Sequence, residues 1–428
     1  MLNKIKSVIF NNENKNVPLL SVKNLNDLKY FNAAKKIFSC IENQNNYYKL
    51  MFVGGCVRKL IKEQEIDDID IATNVHPKEI KKILVKNNIK FLETGISHGT
   101  ITVLINDFKF EITTLRKDVS TDGRHADVQF IPDWEIDAKR RDFTINAIYS
   151  NLRGEVYDPL EGVKDLREGI IQFIGKPSIR IEEDYLRIIR YIRFFTQYSK
   201  HPHDQEVVRI IKKNLGNFIK VSKERSLDEL FKILKLKNFN NLFKDEFSCF
   251  IILSIFPQLK YFERLNLLNK ISNKLSFKID KILLLSILLI DNTDNTEFFL
   301  YKYNLSNEIK KRILFIKNSF KTYSLEYLLN NKNLMKLCYL NSKARIIDLL
   351  IFLAFNYPKK IEKIEKLIIF VENINMPEFP IDANFLILQF NFSKDKNLGD
   401  ALKKLELNWI ENNFKIEKNK IKSILKLK

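Results

Sequence analysis

The feature that most limits how this chain can fold is the point at which its β-patterned segments stop. Between about Tyr48 and Tyr157 short strand-like runs recur: "KLMFVGG", "DIDIA", "TITVLI" and "FKFEITTL". Helical segments separate them, such as "HPKEIKKILVKN", in which Pro77 suits a first helical turn. From about Pro159 the strand signals fade, and amphipathic helices with lysine-rich outer faces follow one another to the C-terminus. This pattern predicts an α+β chain: a head with a small mixed sheet, then an all-helical remainder. No fixed-period repeat is present. At 428 residues the chain is long enough for two to four domains.

The longest apolar runs, "CFIILSIF" (249–256) and "ILLLSILLI" (282–290), are far shorter than the roughly 20 residues that span a bilayer. They are expected as buried helices, and no membrane partner is expected. The N-terminal stretch lacks a secretory apolar core and cleavage site, so the expected compartment is the cytoplasm. Cys40, Cys56, Cys249 and Cys338 have no zinc or redox spacing and read as reduced structural thiols. "HPHD" (201–204) lacks the downstream histidines that a metal phosphohydrolase needs and reads as a surface turn. The formal net charge is +20, which points to a polyanionic partner. The bias toward Lys, Asn, Ile and Phe offers a second source for that excess, AT-rich coding with solvated lysine faces.

Against this charge, Asp67, Asp68 and Asp70 crowd into four residues. On a strand, residues two apart share a face, so "DIDIA" places Asp68 and Asp70 together and turns Ile69 and Ile71 to a core. Asp67 points away from the pair. Two adjacent carboxylates repel unless a cation lies between them, and Mg²⁺ prefers one or two carboxylates completed by phosphate oxygens and water. A solvent-facing acidic strand edge is the alternative for a bare D-x-D. What precedes the pair argues for the metal: Gly54 and Gly55 end a strand, and a helix is expected from about Val57. Glycines admit a phosphate closely, a helix N-terminus offers N–H donors, and Arg58 adds a positive charge. Phosphate cradle plus carboxylate pair is equipment for metal-assisted phosphoryl or nucleotidyl transfer.

"VGGCVRKLI…DDIDIAT" resembles the first motif of the class II tRNA nucleotidyltransferase and bacterial poly(A) polymerase family, a branch of the polymerase-β-like nucleotidyltransferases. Further blocks follow in the family's order: "TGISHGTITV", "FEITTLRKDVSTDGRHADVQF", "RRDFTINAIY", "DPLEGVKDLREGIIQFIG", "RIEEDYLRIIRYIRFF" and "VSKERSLDEL". Strong resemblance covers roughly 48–235, and a weaker one returns at "LGDALKKLELNWIENNF". Lys59 departs from the pattern, which usually has Asp after the Arg of the first motif. The resemblance implies a helical extension (1–47), a catalytic head (48–165), a neck with a nucleotide-selecting helix (166–235) and a tRNA-binding body and tail (236–428). Within the family a CCA-adding enzyme is favoured, which extends the tRNA 3′ end from CTP and ATP and releases pyrophosphate. No obligate protein partner is evident. The alternatives are a poly(A) polymerase, an A-adding enzyme and, from another class, a non-catalytic RNA-binding protein.

The other blocks supply candidates. "EEDYLRIIRYIRFF" is helical by its spacing, with Asp184 and Arg187 three apart on one face. A surface ion pair is one reading. The other uses hydrogen bonding: cytosine and adenine present an amino donor beside a ring-nitrogen acceptor, whereas uracil and guanine present the reverse, so an Asp–Arg pair selects C and A. The resemblance implies this base-reading role for Asp184 and Arg187, with Glu183 in support and Arg190 toward phosphate or RNA. "RRDFTINAIY" is expected to start a helix. There Arg140 and Arg141 suit a triphosphate and Asp142 and Asn146 suit ribose hydroxyls, while a capped helix start also accounts for Asp142. In "FKFEITT" Glu111 is either an auxiliary carboxylate near the metal or an exposed strand glutamate. The segment 116–130 reads as a mobile polar loop. The resemblance links it to switching from C to A addition, with Asp122 and Arg124 as its test residues. "KIEKNKIKSILKLK" reads as a basic helix that contacts the tRNA backbone or carries a solvated lysine face.

Overall fold

The computed structural model describes residues 29–66, 68–121, 126–239, 241–275 and 279–427. The chain divides into two compact units, Met1–Ile255 and Phe256–Lys428. Every strand among the described residues lies in the first.

The elements of the first unit run in the order α1 (Phe31–Glu42), β1 (Leu50–Val53), α2 (Gly55–Ile61), β2 (Ile69–Thr73), α3 (Pro77–Lys86), β3 (Lys90–Gly95), β4 (Thr100–Ile105) and β5 (Phe108–Thr114). Then come β6 (Arg116–Thr121), β7 (Ala126–Phe130), α4 (Trp134–Lys139), β8 (Tyr149–Ser150) and β9 (Val156–Tyr157). Seven strands form one sheet in the order β3-β4-β5-β2-β1-β8-β9. Only the β2–β5 contact is parallel. That crossover sets the site, because it brings Asp70 of β2 into register with Glu111 of β5.

Local chemistry accounts for these elements. All four residues of β1 are buried, as a central strand covered on both faces requires. Helix α1 buries Ala33, Ala34, Ile37, Phe38 and Ile41, and Phe38 meets Phe52 of β1 with ring centroids 5.1 Å apart. Pro77 opens α3, and the His76 imidazole accepts the Lys78 N–H as its cap. A second apolar cluster, with Met51, Val53, Leu115, Trp134, Tyr149 and Ile174 among its members, joins the sheet to α4.

Helices then take over: α5 (Gly162–Glu168), α6 (Pro177–Glu183), α7 (Leu186–Tyr198), α8 (Gln205–Asn214) and α9 (Lys223–Leu234) lead to the last helix of the unit, Glu246–Ile255. Four local expectations need correction here. The segment 182–195 is not one helix, because Asp184 adopts extended backbone (φ −155°, ψ 104°) and separates α6 from α7. Asp184 and Arg187 therefore do not share a helical face. The "RRDF" block does not begin a helix: Asp133 caps α4 upstream, Arg140 ends that helix, and only a 3₁₀ turn, Thr144–Asn146, follows. The expected loop at 116–130 is largely the antiparallel hairpin β6–β7, in which Arg116 faces Phe130 and Thr121 faces Ala126. Asp122 and Arg124, like Asp67, lie outside the described residues. Finally, His201, Pro202 and Asp204 are exposed as a surface turn requires, whereas His203 is half-buried. Its ring stacks on Phe195 at 3.5 Å and shares hydrogen bonds with Tyr191 and Asp245.

The second unit is built of helices, with no strand among its described residues. Helix Lys281–Leu289, capped by Asp280, is apolar all round and buries every residue from Ile282 to Leu289. "NMPEFPID" is irregular, as expected, and precedes a smaller cluster built on Leu386, Leu405 and Ile421. The expected C-terminal helix shortens to one helix of five residues, Ile421–Leu425, with Ile421 buried. No helix among the described residues is long and apolar enough to cross a membrane.

Candidate active site

The site begins where β1 turns into α2. Gly54 takes φ +69° and ψ −118°, the first central position of a type II′ turn, where a side chain is strained. A Cβ there would also stand 3.5 Å from the Asn146 carbonyl oxygen and 3.6 Å from Arg141. The turn starts α2 at Gly55 rather than Val57, and the Gly54 N–H is tied to the Ile148 carbonyl at 3.2 Å. Cys56, beneath the turn, is no nucleophile, since burial pushes its thiol up to about 12. Arg58 is buried and turned inward. It donates to Asn146 Oδ1 and stacks on Phe194 and Tyr198, with its guanidinium carbon 4.7 and 5.4 Å from the ring centroids. In this conformation it is a strut between α2 and α7 and does not stand open to a phosphate.

Beside the turn, β2 carries Asp70, with Ile69 and Ile71 buried on the opposite face as the alternation requires. Burial, first, and then the neighbouring Glu111 charge raise the Asp70 carboxyl to about 6; Asp68 adds to the rise, and Arg141 and Arg58 oppose it. Asp68 is exposed just ahead of the strand. Glu111 accepts Lys109 Nζ at 2.6 Å, so one of its oxygens already has a cationic partner. Among the described residues no three His, Cys, Asp or Glu side chains stand ready around a common ion. The donor set nevertheless fits a divalent cation in one respect. Two hard oxygen donors in a row that repels its own charge are what such an ion relieves, with nucleotide phosphates and water completing the shell.

The remaining candidates form two groups. In the first, Asp142 is buried and fully engaged. Its Oδ1 accepts the Phe143 N–H at 2.9 Å and Asn146 Nδ2 at 2.7 Å, and its Oδ2 accepts Arg190 Nη2 at 2.6 Å. Burial alone would raise its carboxyl, but Arg190 and these hydrogen bonds hold it well below the usual range. Arg190 also lies 3.4 Å from Glu229, which binds Arg193 at 2.7 Å. Arg58, Arg190 and Arg193 thus surround the buried Phe194 ring.

In the second group, the side chains of Asp184 and Arg187 each hold another protein partner and not each other. Arg225 of α9 donates to both carboxylate oxygens of Asp184, and Arg187 donates to Glu183 and to the Arg180 carbonyl, both at 2.7 Å. Arg180 in turn donates to the carbonyls of Arg140 and Arg141 at 2.6 Å, tying α6 to the end of α4.

Three residues that contact these candidates escaped the sequence reading. Asp137, 1% exposed, binds Arg140 at 2.7 Å and Arg141 at 3.0 Å and so removes both arginines from a freely open triphosphate site. The i, i+3 and i, i+4 spacing in "DAKRR" carried that signal. Glu229 and Arg225 sit in "VSKERSLDEL", a block that the residues alone gave no role.

Known proteins share the sequence and the fold of this chain. The poly A polymerase head domain matches residues 50–172. The mitochondrial CCA tRNA nucleotidyltransferase 1 of Mus musculus is 32% identical over 395 residues, 89% of this chain and 87% of its own. Its Danio rerio counterpart is 42% identical over 194 residues, 45% of either chain. In fold, the Bacillus stearothermophilus CCA-adding enzyme in complex with CTP aligns with a TM-score of 0.64 over 93% of this chain and 97% of that one, at 23% identity. The chain belongs to the class II tRNA nucleotidyltransferase and poly(A) polymerase family. Members of that family depend on a divalent metal.

Proposed function

We propose that this chain is a CCA-adding enzyme, which extends the 3′ end of tRNA with CMP and AMP from CTP and ATP and releases pyrophosphate. The observation that carries this reading is the register of β2 with β5, which sets Asp70 beside Glu111 next to the Gly54–Gly55 turn. The poly A polymerase head match ends at residue 172, whereas the likeness to the mouse CCA enzyme runs over 395 residues. That relative's name, and a likeness that extends beyond the head, support CCA addition.

The roles we assign rest on this geometry together with the family resemblance. The tRNA 3′-OH attacks the α-phosphate, a phosphodiester forms and pyrophosphate leaves. Asp68 and Asp70 would hold Mg²⁺, which when bound supplies charge neutralisation on the triphosphate and a lower pKa for the attacking hydroxyl. The Gly54–Gly55 turn lets phosphate approach the start of α2. Asp142 and Asn146 would take the ribose hydroxyls by exchanging contacts that they now make with Arg190 and Arg58. Asp184 accepts the amino group of cytosine or adenine, and Arg187 donates to the adjoining ring nitrogen, exchanging its contact with Glu183 for the base. The basic surface grips the tRNA mainly through phosphates. We assign the reaction to the cytoplasm; the mouse relative is named for the mitochondrion, and fractionation with an antibody to this chain decides between the two.

The test is pyrophosphate release from CTP in the presence of a tRNA transcript lacking CCA. Release that needs Mg²⁺, stops with chelator and is lost in Asp70→Ala supports the reading. Release that persists in Asp70→Ala contradicts it.

A further inference from the structure

Base reading in this account depends on a carboxylate whose direction no helix fixes. Asp184 lies in extended backbone between α6 and α7, and three N–H donors orient it instead. Arg225 Nη2 donates to Oδ2 at 2.7 Å, Arg225 Nη1 donates to Oδ1 at 3.3 Å, and the Leu186 amide donates to Oδ1 at 3.2 Å. Arg225 is itself anchored in the first turn of α9, where its amide donates to the Ser222 cap at 3.3 Å. A guanidinium fork matches a carboxylate in plane and fixes its rotation, which a point charge does not. With those lone pairs occupied, the remaining acceptor directions of Asp184 are set by α9, an element 41 residues away in sequence.

We infer that Arg225 is a specificity-determining positioning residue, which fixes the direction in which Asp184 accepts and so makes the site reject bases that present a carbonyl where cytosine and adenine present an amino group. The inference rests on the CCA-adding reading. A carboxylate held in place meets the amino group of C or A as acceptor to donor. It meets the carbonyl of U or G as acceptor to acceptor, which leaves both groups desolvated and unpaired. A carboxylate free to turn escapes that clash without losing its charge. Loss of Arg225 therefore erodes discrimination more than it erodes turnover of the correct nucleotide.

The experiment measures kcat/KM for CTP and for UTP separately, on a full tRNA transcript lacking CCA, with the full-length chain as wild type, Arg225→Gln and Arg225→Lys. Thermal melts establish that each variant is folded. The expected result is a CTP-over-UTP preference lowered about tenfold or more in Arg225→Gln, the size of one misplaced hydrogen-bond partner. In Arg225→Lys, which keeps the charge without the fork, part of the preference returns. A merely structural role for Arg225 would lower both kcat/KM values together, and an unchanged ratio in Arg225→Gln overturns the inference. Should Arg225→Gln not fold, an unchanged ratio in folded Arg225→Lys overturns it equally. A wild type that adds no CMP refutes the functional reading. A wild type that adds CMP, beside a variant that keeps its preference, refutes this inference alone.

Discussion

Asp70 and Glu111 stand side by side on neighbouring strands, yet they are not equivalent. Asp70 shares a charge row with Glu111 and Asp68 that Arg141 and Arg58 offset in part, whereas Glu111 accepts Lys109 directly. Asp70→Ala is expected to lower turnover by about three orders of magnitude, since several kcal/mol of transition-state charge stabilisation are lost. Glu111→Gln is expected to lower it by about tenfold or less, because a carboxylate paired with lysine contributes less to holding the cation. Single-turnover CMP incorporation checks both, and an equal loss in the two variants would make Glu111 a metal ligand. Gly54→Ala meets strained backbone at φ +69° and is expected to cost about 1–3 kcal/mol of stability, read by urea unfolding. The carboxylate pair and the glycines were legible in the sequence because strand alternation and turn chemistry are local. The partners of Asp184 and Arg190 were not: Arg225 and Glu229 lie 41 and 39 residues further along, and only the packing of α7 on α9 brings them close.

At the level of elements, the joint between sheet and helices is an ion network built across α7 and α9. Among the described residues Glu229 is its only carboxylate on α9, and it is 2% exposed. Burial alone would raise its carboxyl, but Arg193, then Arg190 and Lys232, hold it down at about 2. Its folded pKa lies below the ordinary glutamate value, so its contribution to stability is present above about pH 4.5 and is lost as pH falls toward 2. Glu229→Gln leaves Arg193 buried without its counter-charge and is expected to destabilise the protein by about 3–5 kcal/mol at neutral pH. Denaturant melts from pH 7 to pH 2.5 would show a shallower acid loss in the variant than in wild type. Parallel curves would mean that Glu229 is not a source of the acid sensitivity. Sequence pattern found these helices well because their apolar stripes repeat, and it misread the joints. At Asp184 the helical spacing of the flanking residues concealed a break. At Arg140 the arginines marked the end of a helix whose cap, Asp133, lay about two turns upstream.

Across the whole molecule, strands confined to the first unit and helices filling the second were readable from the change of period near Pro159. The net charge of +20 was readable as well, and it makes a further expectation quantitative. Binding of tRNA should weaken with salt along a straight log–log line, by about a thousandfold between roughly 50 and 200 mM. A salt-independent affinity, measured by filter binding, would show that phosphate contacts are not the main grip. The most direct test of the account is extension of one tRNA transcript prepared in three forms: ending before CCA, after C and after CC. Each is incubated with Mg²⁺ and both CTP and ATP, and read on a sequencing gel. The account predicts additions of CCA, CA and A, each stopping at the same mature length. An open-ended ladder of A, or A addition confined to the CC-ended transcript, would contradict it.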